Sequence, residues 1–537
     1  MKTLDYLNWL QILFCLALGF FTSWGLIKVI LNWVKSGGPA TGGREFHHAH
    51  KTPIPRFGGV ALVAAFALVA LAIYFFGSLS VASAKTLAVI VFSSLAMFSL
   101  GFWDDLRPLG ARFKLAAQIA VAAGAYAGNI RIEFFKSPWT DSNFDLGALS
   151  FFGTVLWLVS LTNLINLIDG IDGLAGGICL MLMFLLANVG MGDDLGISTL
   201  LSIGLVGALL GFLRFNYPPA KIYMGDGGAY FLGFLIGILS IVSSNKGTIA
   251  AALIAPAFAL ALPIVDVSLA VLRRGVRGLP IFRADRKHIH HQLITLGISR
   301  ERTVLNLYTV SLLCLFLAFS VFYVQGRMLP LYSGFLFFVL LVAGHFSGFT
   351  KDWFAVSSQL GKSLALRKET QYALTLSRWL VLEVERRIPA DELWQEYKFV
   401  VKKLGFSRVK LILPDGSINT WQMHELDKRA DDLHYVAHEM SDGTVIEFVA
   451  DKAILSESQF DLLGDLAAET WYKIASRWLV INRAPFYFPS TTTEPESRLR
   501  TSKVPREEEA TWPDGNSTKR SNLRNGETAD PEASVSF

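Results

Sequence analysis

Apolar runs about as long as a bilayer span recur through the first 350 residues, separated by short polar loops. A hydrocarbon core is crossed by roughly 20 mostly apolar helical residues. Runs that qualify, or nearly do, centre on 8–31, 57–77, 86–103, 113–130, 148–166, 174–192, 195–213, 228–244, 248–272, 305–325 and 329–346. The pattern predicts about eleven transmembrane helices, or ten, because the fourth and eighth runs are short. The first run is too long for the apolar core of a signal peptide and lacks a small-residue cleavage site, so it is expected to stay as a span. Beyond residue 350 the period changes. Residues 352–388 read as one long amphipathic helix. Short strands follow at Val409–Leu413, Trp421–Met423, Tyr435–Met440 and Val445–Ala450, with a Pro-Asp-Gly turn and an Asp442-Gly443 hairpin signal between them. Ser456 and Gln459 form a capping-box pattern for a last helix running to about Leu479.

Charge divides the chain at the same place. Of 537 residues, 17% are charged and 52% hydrophobic, against roughly 25% charged in soluble domains. The charges are uneven: 39 fall in residues 1–350 and 54 in the much shorter 351–537. The fold class expected is therefore an α-helical polytopic membrane domain over 1–350, followed by a soluble α+β domain over 351–484. Residues 485–537, rich in Ser, Thr, Pro, Glu and Arg, are expected to be disordered. The order helix, antiparallel strands, helix in the middle segment is loosely similar to GAF-type sensory modules, in pattern alone. A fibrous or disulfide-stapled chain is excluded. Cys15, Cys179 and Cys314 all lie in apolar runs and read as small buried thiols.

Loop charges set the expected orientation. With eleven spans, the loops 32–56, 104–114, 167–173, 214–227 and 273–303 hold 17 Lys and Arg, while the alternate set holds 5. The positive-inside rule makes the first set cytoplasmic, with the N-terminus outside and the C-terminal region in the cytoplasm. Every polar cluster worth singling out falls in that cytoplasmic set.

Asp104-Asp105 closes an apolar run, at the negative end of the helix dipole, where acids are disfavoured. Such a pair needs a cation, from Arg107, Arg112, Lys114 or a divalent metal; the plain alternative is a solvated loop pair. Asn163, Asn166, Asp169 and Asp172 recur every third position on one helical face before two Asp-Gly turns. Carboxylates in a membrane segment point to function by default; the plain alternative, that Asp172 merely N-caps the next helix, leaves Asn166 and Asp169 unexplained. Met224-Gly225-Asp226-Gly227-Gly228 opens another apolar run, where free amides at a helix start suit phosphate. Five carboxylates at one membrane face call for hard cations, and oxygen ligands suit Mg²⁺. Arg286-Lys287-His288-Ile289-His290-His291 fits a phosphate clamp better than a zinc site, since no Cys or second His group accompanies it. His50-Lys51, followed by Arg56 and Gly58-Gly59, is a second basic approach to the same face. Together these residues indicate Mg²⁺-dependent phosphoryl transfer between a lipid-phase and an aqueous substrate.

Taken in order, His50-Lys51-Thr52-Pro53 with Gly58-Gly59, Asp104-Asp105 with Lys114, Asn166 through Asp172, Asn216 with Met224-Gly225-Asp226, and the His288–His291 loop resemble one family. It is the polyprenyl-phosphate N-acetylhexosamine-1-phosphate transferases, glycosyltransferase family 4, and the likeness covers roughly residues 1–350. The resemblance implies that a UDP-N-acetylhexosamine and polyprenyl phosphate give a polyprenyl-diphospho-sugar and UMP. It implies Mg²⁺, or Mn²⁺, on Asp226, and Asp104 as base on the lipid phosphate with Asp105 in support. Lys114 would contact phosphate, and Asn166, Asp169, Asp172 and Asn216 would shape the nucleotide and metal pocket, Asp169 and Asp172 counting with the catalytic set. His290 and His291 would hold the diphosphate and sugar, and His50, Lys51 and His288 complete the substrate-binding candidates. The Arg-Lys-His-Ile-His-His loop is similar to the undecaprenyl-phosphate GlcNAc-1-phosphate branch. That branch implies UDP-GlcNAc, a surface-polysaccharide, O-antigen or teichoic-type product, and a bacterial inner-membrane enzyme.

A secondary transporter is the rival class, but its ionisable residues sit near the bilayer midplane between repeated halves, and no repeat is visible here. A CDP-alcohol phosphotransferase is excluded by the absence of its spaced Asp-Gly…Ala-Arg pattern. No nucleic-acid partner is expected; the C-terminal domain is where a second copy or a protein partner would dock.

Overall fold

The computed structural model describes residues 2–36, 54–136 except 78, 143–189, 196–244, scattered residues between 256 and 275, 298–323, 328, 331–338, 349–386, 389–423, 432–440, 443–482 and 486. Eight helices come first: α1 (Lys2–Lys35), α2 (Gly58–Phe76), α3 (Val81–Leu106), α4 (Ala111–Ala127), α5 (Leu149–Ile168), α6 (Leu174–Val189), α7 (Ile197–Asn216) and α8 (Gly225–Ser244), with α9 at Arg300–Tyr323. A two-stranded antiparallel hairpin, β1 (Phe134–Lys136) with β2 (Asn143–Asp145), joins α4 to α5.

Seven of these helices are long and apolar enough to cross a membrane: those of α1, α2, α3, α5, α7, α8 and α9. α6 is apolar but shorter, and α4, the fourth expected span, has 17 residues. The expected ninth and eleventh spans lie largely outside the described residues and, apart from a turn at Leu260, are helical where described. Apolar side chains such as Phe21, Phe75, Phe92, Phe152 and Phe316 stand exposed on outer helix faces, as they do where lipid is the solvent.

The helices are ordered by how much of each is covered. α8 is apolar on every side, so it is stable only where other helices surround it. It packs against α2, α3, α5 and α6, and Phe231, Leu232, Phe234, Leu235 and Ile236 are fully buried. α1 lies on α7 where small residues let the backbones approach: a Cβ on Gly211 would stand 2.7 Å from the Phe20 carbonyl oxygen. Between membrane helices packing replaces the hydrophobic effect, which is why small residues are placed there.

The C-terminal region has its own apolar core. It comprises α10 (Phe349–Glu385), α11 (Ala390–Lys403), strands β3 (Arg408–Ile412), β4 (Ile418–Gln422), β5 (Leu433–Glu439) and β6 (Val445–Asp451), and α12 (Glu457–Asn482). The sheet order is β4-β3-β6-β5, antiparallel throughout. Val409, Leu411, Ile446 and Phe448 alternate along their strands and are buried in the same core as Tyr397, Phe460 and Trp471. The Tyr397 hydroxyl, buried there, donates to the Ala467 carbonyl at 3.0 Å. Both turn signals are realised: Gly416 and Gly443 take φ of +83° and +87° in the β3–β4 and β5–β6 connections. The Ser456 amide donates to Gln459 Oε1 at 3.0 Å, one half of the capping box at the start of α12. Apart from Phe486, the segment expected to be disordered lies outside the described residues.

Candidate functional site

Alternation of the helices carries the polar motifs to one end of the bundle. α3, α5 and α7 end there, while α2, α4, α6 and α8 begin there. The strip before α2 is zipped to the loop before α8. Tyr223 N–H donates to the Pro55 carbonyl, Gly58 N–H to that of Tyr223 and Gly59 N–H to that of Met224, each at 2.9 Å. The Gly58-Gly59 pair thus acts on the backbone of the Met224-Gly225-Asp226 turn.

The two adjacent aspartates at the end of α3 have separate tasks. Asp105 reaches across to the start of α8, where its Oδ1 accepts from Asp226 N–H and its Oδ2 from Gly227 N–H, both at 3.0 Å. A carboxylate 121 positions earlier in sequence therefore caps the central helix and satisfies two of its free amides. The cap needs Gly225, whose φ of +76° is left-handed and where a Cβ would stand 2.7 Å from Asp105 Oδ2. Asp104 is buried; its Oδ1 accepts from Leu109 N–H at 2.7 Å and its Oδ2 takes the Lys114 ammonium at 2.6 Å. The Asp104 carboxyl is also hydrogen-bonded to that of Asp226. Asp104, Asp226 and Lys114 thus form one contiguous group.

The Asp169–Gly173 turn after α5 is tied to the α7–α8 loop. Asn216 accepts from Gly173 N–H at 3.0 Å and donates to the Ile222 carbonyl at 2.8 Å. Asp172 Oδ2 accepts from Ala220 N–H at 2.9 Å, so this carboxylate binds a neighbouring loop. The Tyr308 hydroxyl on α9 donates to the Gly173 carbonyl at 2.5 Å. Asn166 is half-buried at the last turn of α5.

Asp169 follows the last residue of α5 and keeps some exposed surface while protein atoms surround it closely. Its carboxyl is pushed up to about 8, first by burial and then by the charges of Asp105 and Asp172, with Arg56 opposing. Among the described residues of this site, Asp104, Asp105, Asp169, Asp172 and Asp226 outnumber the cations Arg56 and Lys114. Among the described residues no three Asp, Glu, His or Cys side chains form a ready metal cage. Asp105 is occupied by amides, which leaves Asp226 and Asp104, sharing one hydrogen bond, as the carboxyls facing each other. That donor set fits Mg²⁺, which is held by one or two carboxylates together with substrate phosphates rather than by a protein cage. His50, Lys51, His288, His290 and His291 lie outside the described residues.

The pattern described as Glycosyl transferase family 4 matches residues 87–244, the stretch that runs from α3 through α8. The chain is 32% identical over 294 residues to a protein of Bacillus subtilis (strain 168) named probable undecaprenyl-phosphate N-acetylglucosaminyl 1-phosphate transferase, covering 55% of this chain and 79% of that one. The chain belongs to glycosyl transferase family 4. Two further proteins are also similar to this chain. A decaprenyl-phosphate N-acetylglucosaminephosphotransferase of Mycobacterium tuberculosis (strain CDC 1551 / Oshkosh) is 31% identical over 293 residues, 48% of this chain and 70% of that one. A phospho-N-acetylmuramoyl-pentapeptide-transferase of Bacillus pumilus (strain SAFR-032) is 30% identical over 322 residues, 56% of this chain and 95% of that one.

Motif spacing singles out Asp104, Asp105, Lys114, Asp169, Asp172, Asn216 and Asp226 as candidates but not the bonds among them. Tyr308 carried no sequence signal, because an aromatic residue in an apolar run reads as core. Gln118 carries one, as a polar residue one helical turn after Lys114 in an otherwise apolar run.

Proposed function

We propose that this protein transfers N-acetylhexosamine-1-phosphate, GlcNAc-1-phosphate in the first instance, from a UDP-sugar to polyprenyl phosphate and releases UMP. The observation that carries the reading is the Asp104–Lys114–Asp226 group at the N-terminus of the central helix, in a chain whose relatives bear the names of such transferases. An oxygen of the lipid phosphate attacks the sugar-bearing phosphorus. The bond from that phosphorus to the UMP oxygen breaks, and UMP leaves with the electron pair. One phosphoanhydride replaces another, so the step is close to balanced and runs in both directions.

Each residue then has a task in keeping with its bonds. Asp104 holds or takes the proton of the lipid phosphate, and Lys114 is placed to pass from Asp104 to phosphate oxygens. Asp226, with Asp104 beside it, would hold Mg²⁺, whose contribution is to neutralise the diphosphate. Asp105 supports Asp226 through the helix cap. Asn216, Asp172 and Tyr308 fix the turn bearing Asp169, and Asn166 and Asp169 border the nucleotide pocket. His50, Lys51, His288, His290 and His291 are assigned to the diphosphate and sugar on sequence grounds. The loops bearing these groups are cytoplasmic in this reading, and the enzyme spans a bacterial inner membrane. A transporter reading gains no support, since the carboxylates gather at helix ends on one side of the bundle.

The deciding experiment uses purified full-length protein with Mg²⁺, undecaprenyl phosphate and a panel of UDP-sugars. UMP release and exchange of labelled UMP back into the UDP-sugar are expected with UDP-GlcNAc. No exchange with any UDP-N-acetylhexosamine would falsify the transferase reading.

A further inference from the structure

Asp104 and Lys114 sit on different helices, so their 2.6 Å bond depends on how α4 is rotated against its neighbours. α4 is weakly held by apolar packing: its buried residues are Gln118, Ala122 and Ala125, a narrow stripe with two methyl groups. Gln118 is the member of that stripe able to make a directional contact. It lies one turn beyond Lys114, 1% exposed, and its Oε1 accepts from Asn163 Nδ2 on α5 at 2.7 Å. Gln118 Nε2 faces Asn163 Oδ1 at 3.5 Å, and Asn163 Nδ2 also donates to the Val159 carbonyl at 2.8 Å. The two amides therefore meet as a reciprocal pair between α4 and α5.

We infer that Gln118 and Asn163 are positioning residues, an interhelical amide clamp that sets the rotation of α4 and so presents Lys114 to Asp104. The inference rests on the transferase reading for the meaning of Lys114, not for the clamp itself. Interhelical hydrogen bonds in membranes add little stability on average, so the value of this one lies in angle. With side chains reaching about 6 Å from a helix axis, a rotation of about 20° moves a group by roughly 2 Å. That displacement is enough to separate the Lys114 ammonium from Asp104. Alanine methyls at 122 and 125 would tolerate it; a paired amide would not.

The test separates the clamp from the reaction. Gln118→Leu keeps the volume and removes both polar atoms. In this variant Lys114 is expected to react several-fold faster with an amine-reactive reagent, read by mass spectrometry of the purified full-length protein. The kcat for UMP release is expected to fall about tenfold, with KM for the UDP-sugar within twofold. The loss from Lys114→Ala should shrink in the Gln118→Leu background, since the lysine is already misplaced. The exchanged pair Gln118→Asn with Asn163→Gln keeps the summed length, and should restore both Lys114 protection and kcat to within threefold. It also serves if Gln118→Leu folds poorly. Unchanged labelling in Gln118→Leu, losses that simply multiply, or an exchanged pair with neither property restored would each overturn the clamp. Absence of UMP exchange in the unaltered protein would instead overturn the transferase reading, while the labelling would still decide the clamp.

Discussion

The adjacent carboxylates Asp104 and Asp105 differ in what already occupies them. Asp105 spends both oxygens on the amides of Asp226 and Gly227, whereas Asp104 and Asp226 face each other. If Asp226 holds the metal, Asp226→Asn should lower turnover about a hundredfold or more, roughly 3 kcal/mol of transition-state stabilisation, and should weaken the Mg²⁺ dependence of UMP release. Full Mg²⁺-dependent turnover in that variant would sink the assignment. Asp169 gives a pH prediction. Its carboxyl, near 4 in an unfolded chain, is raised to about 8 here. The folded state therefore binds a proton that the unfolded state has lost between those values, so its contribution to stability is present at low pH and fades as pH rises toward 8. In EDTA the melting temperature of the unaltered protein should fall over that window, and Asp169→Asn should flatten the fall. Equal slopes in the two proteins would count against it. Sequence placed all of these acids near one another, but not their bonds, because the partners of Asp105 lie 121 and 122 positions away.

Helix ends are the functional parts at the next scale. α8 begins in the site and is covered along its length, so its first turn offers amide groups with nothing of its own to bind. Asp105 supplies one solution, and Gly225 makes it geometrically available. Gly225→Ala would place a Cβ 2.7 Å from Asp105 Oδ2 and 2.8 Å from the Arg56 carbonyl oxygen, at φ +76°. A left-handed residue with a side chain costs about 1–2 kcal/mol before any clash, so this variant should melt several degrees lower and lose activity more than tenfold. Wild-type activity and melting would refute the tight-turn account. Asp105→Ala removes a cap, for which about 0.5–2 kcal/mol is usual; a lowered melting temperature with a larger proportional loss of kcat would separate positioning from mere stability. The motif around Gly225 was legible as a glycine-containing helix start with free amides. That its cap comes from α3 was not, since an N-cap is ordinarily sought in the residue just before the helix.

Across the whole molecule, the membrane helices and the C-terminal region have separate apolar cores. All the site side chains described lie on the membrane helices and the loops between them. Deleting residues 351–537 is therefore expected to leave UMP exchange by purified protein within about twofold. A collapse of exchange, with the truncated protein still folded, would give the C-terminal region a part in catalysis. The α+β order of that region was readable because turn glycines and alternating strands are local signals. β4 spans Ile418–Gln422, longer than the Trp421–Met423 that the sequence pattern predicts, because its half-exposed face carries little hydrophobic pattern.

The sequence by itself determined that this is a helical membrane protein with a polar-ended bundle and a second, soluble-type region, since hydrophobic length, loop charge and turn chemistry act over a few residues at a time. It also determined the family, because the motifs occur in a fixed order. Only the tertiary structure decided which carboxylate caps α8, which faces Asp226, and that an amide pair between α4 and α5 lies one turn behind Lys114. Those are contacts between helices tens of residues apart, fixed by the rotation and depth of each helix in the bundle, and no local pattern records either quantity.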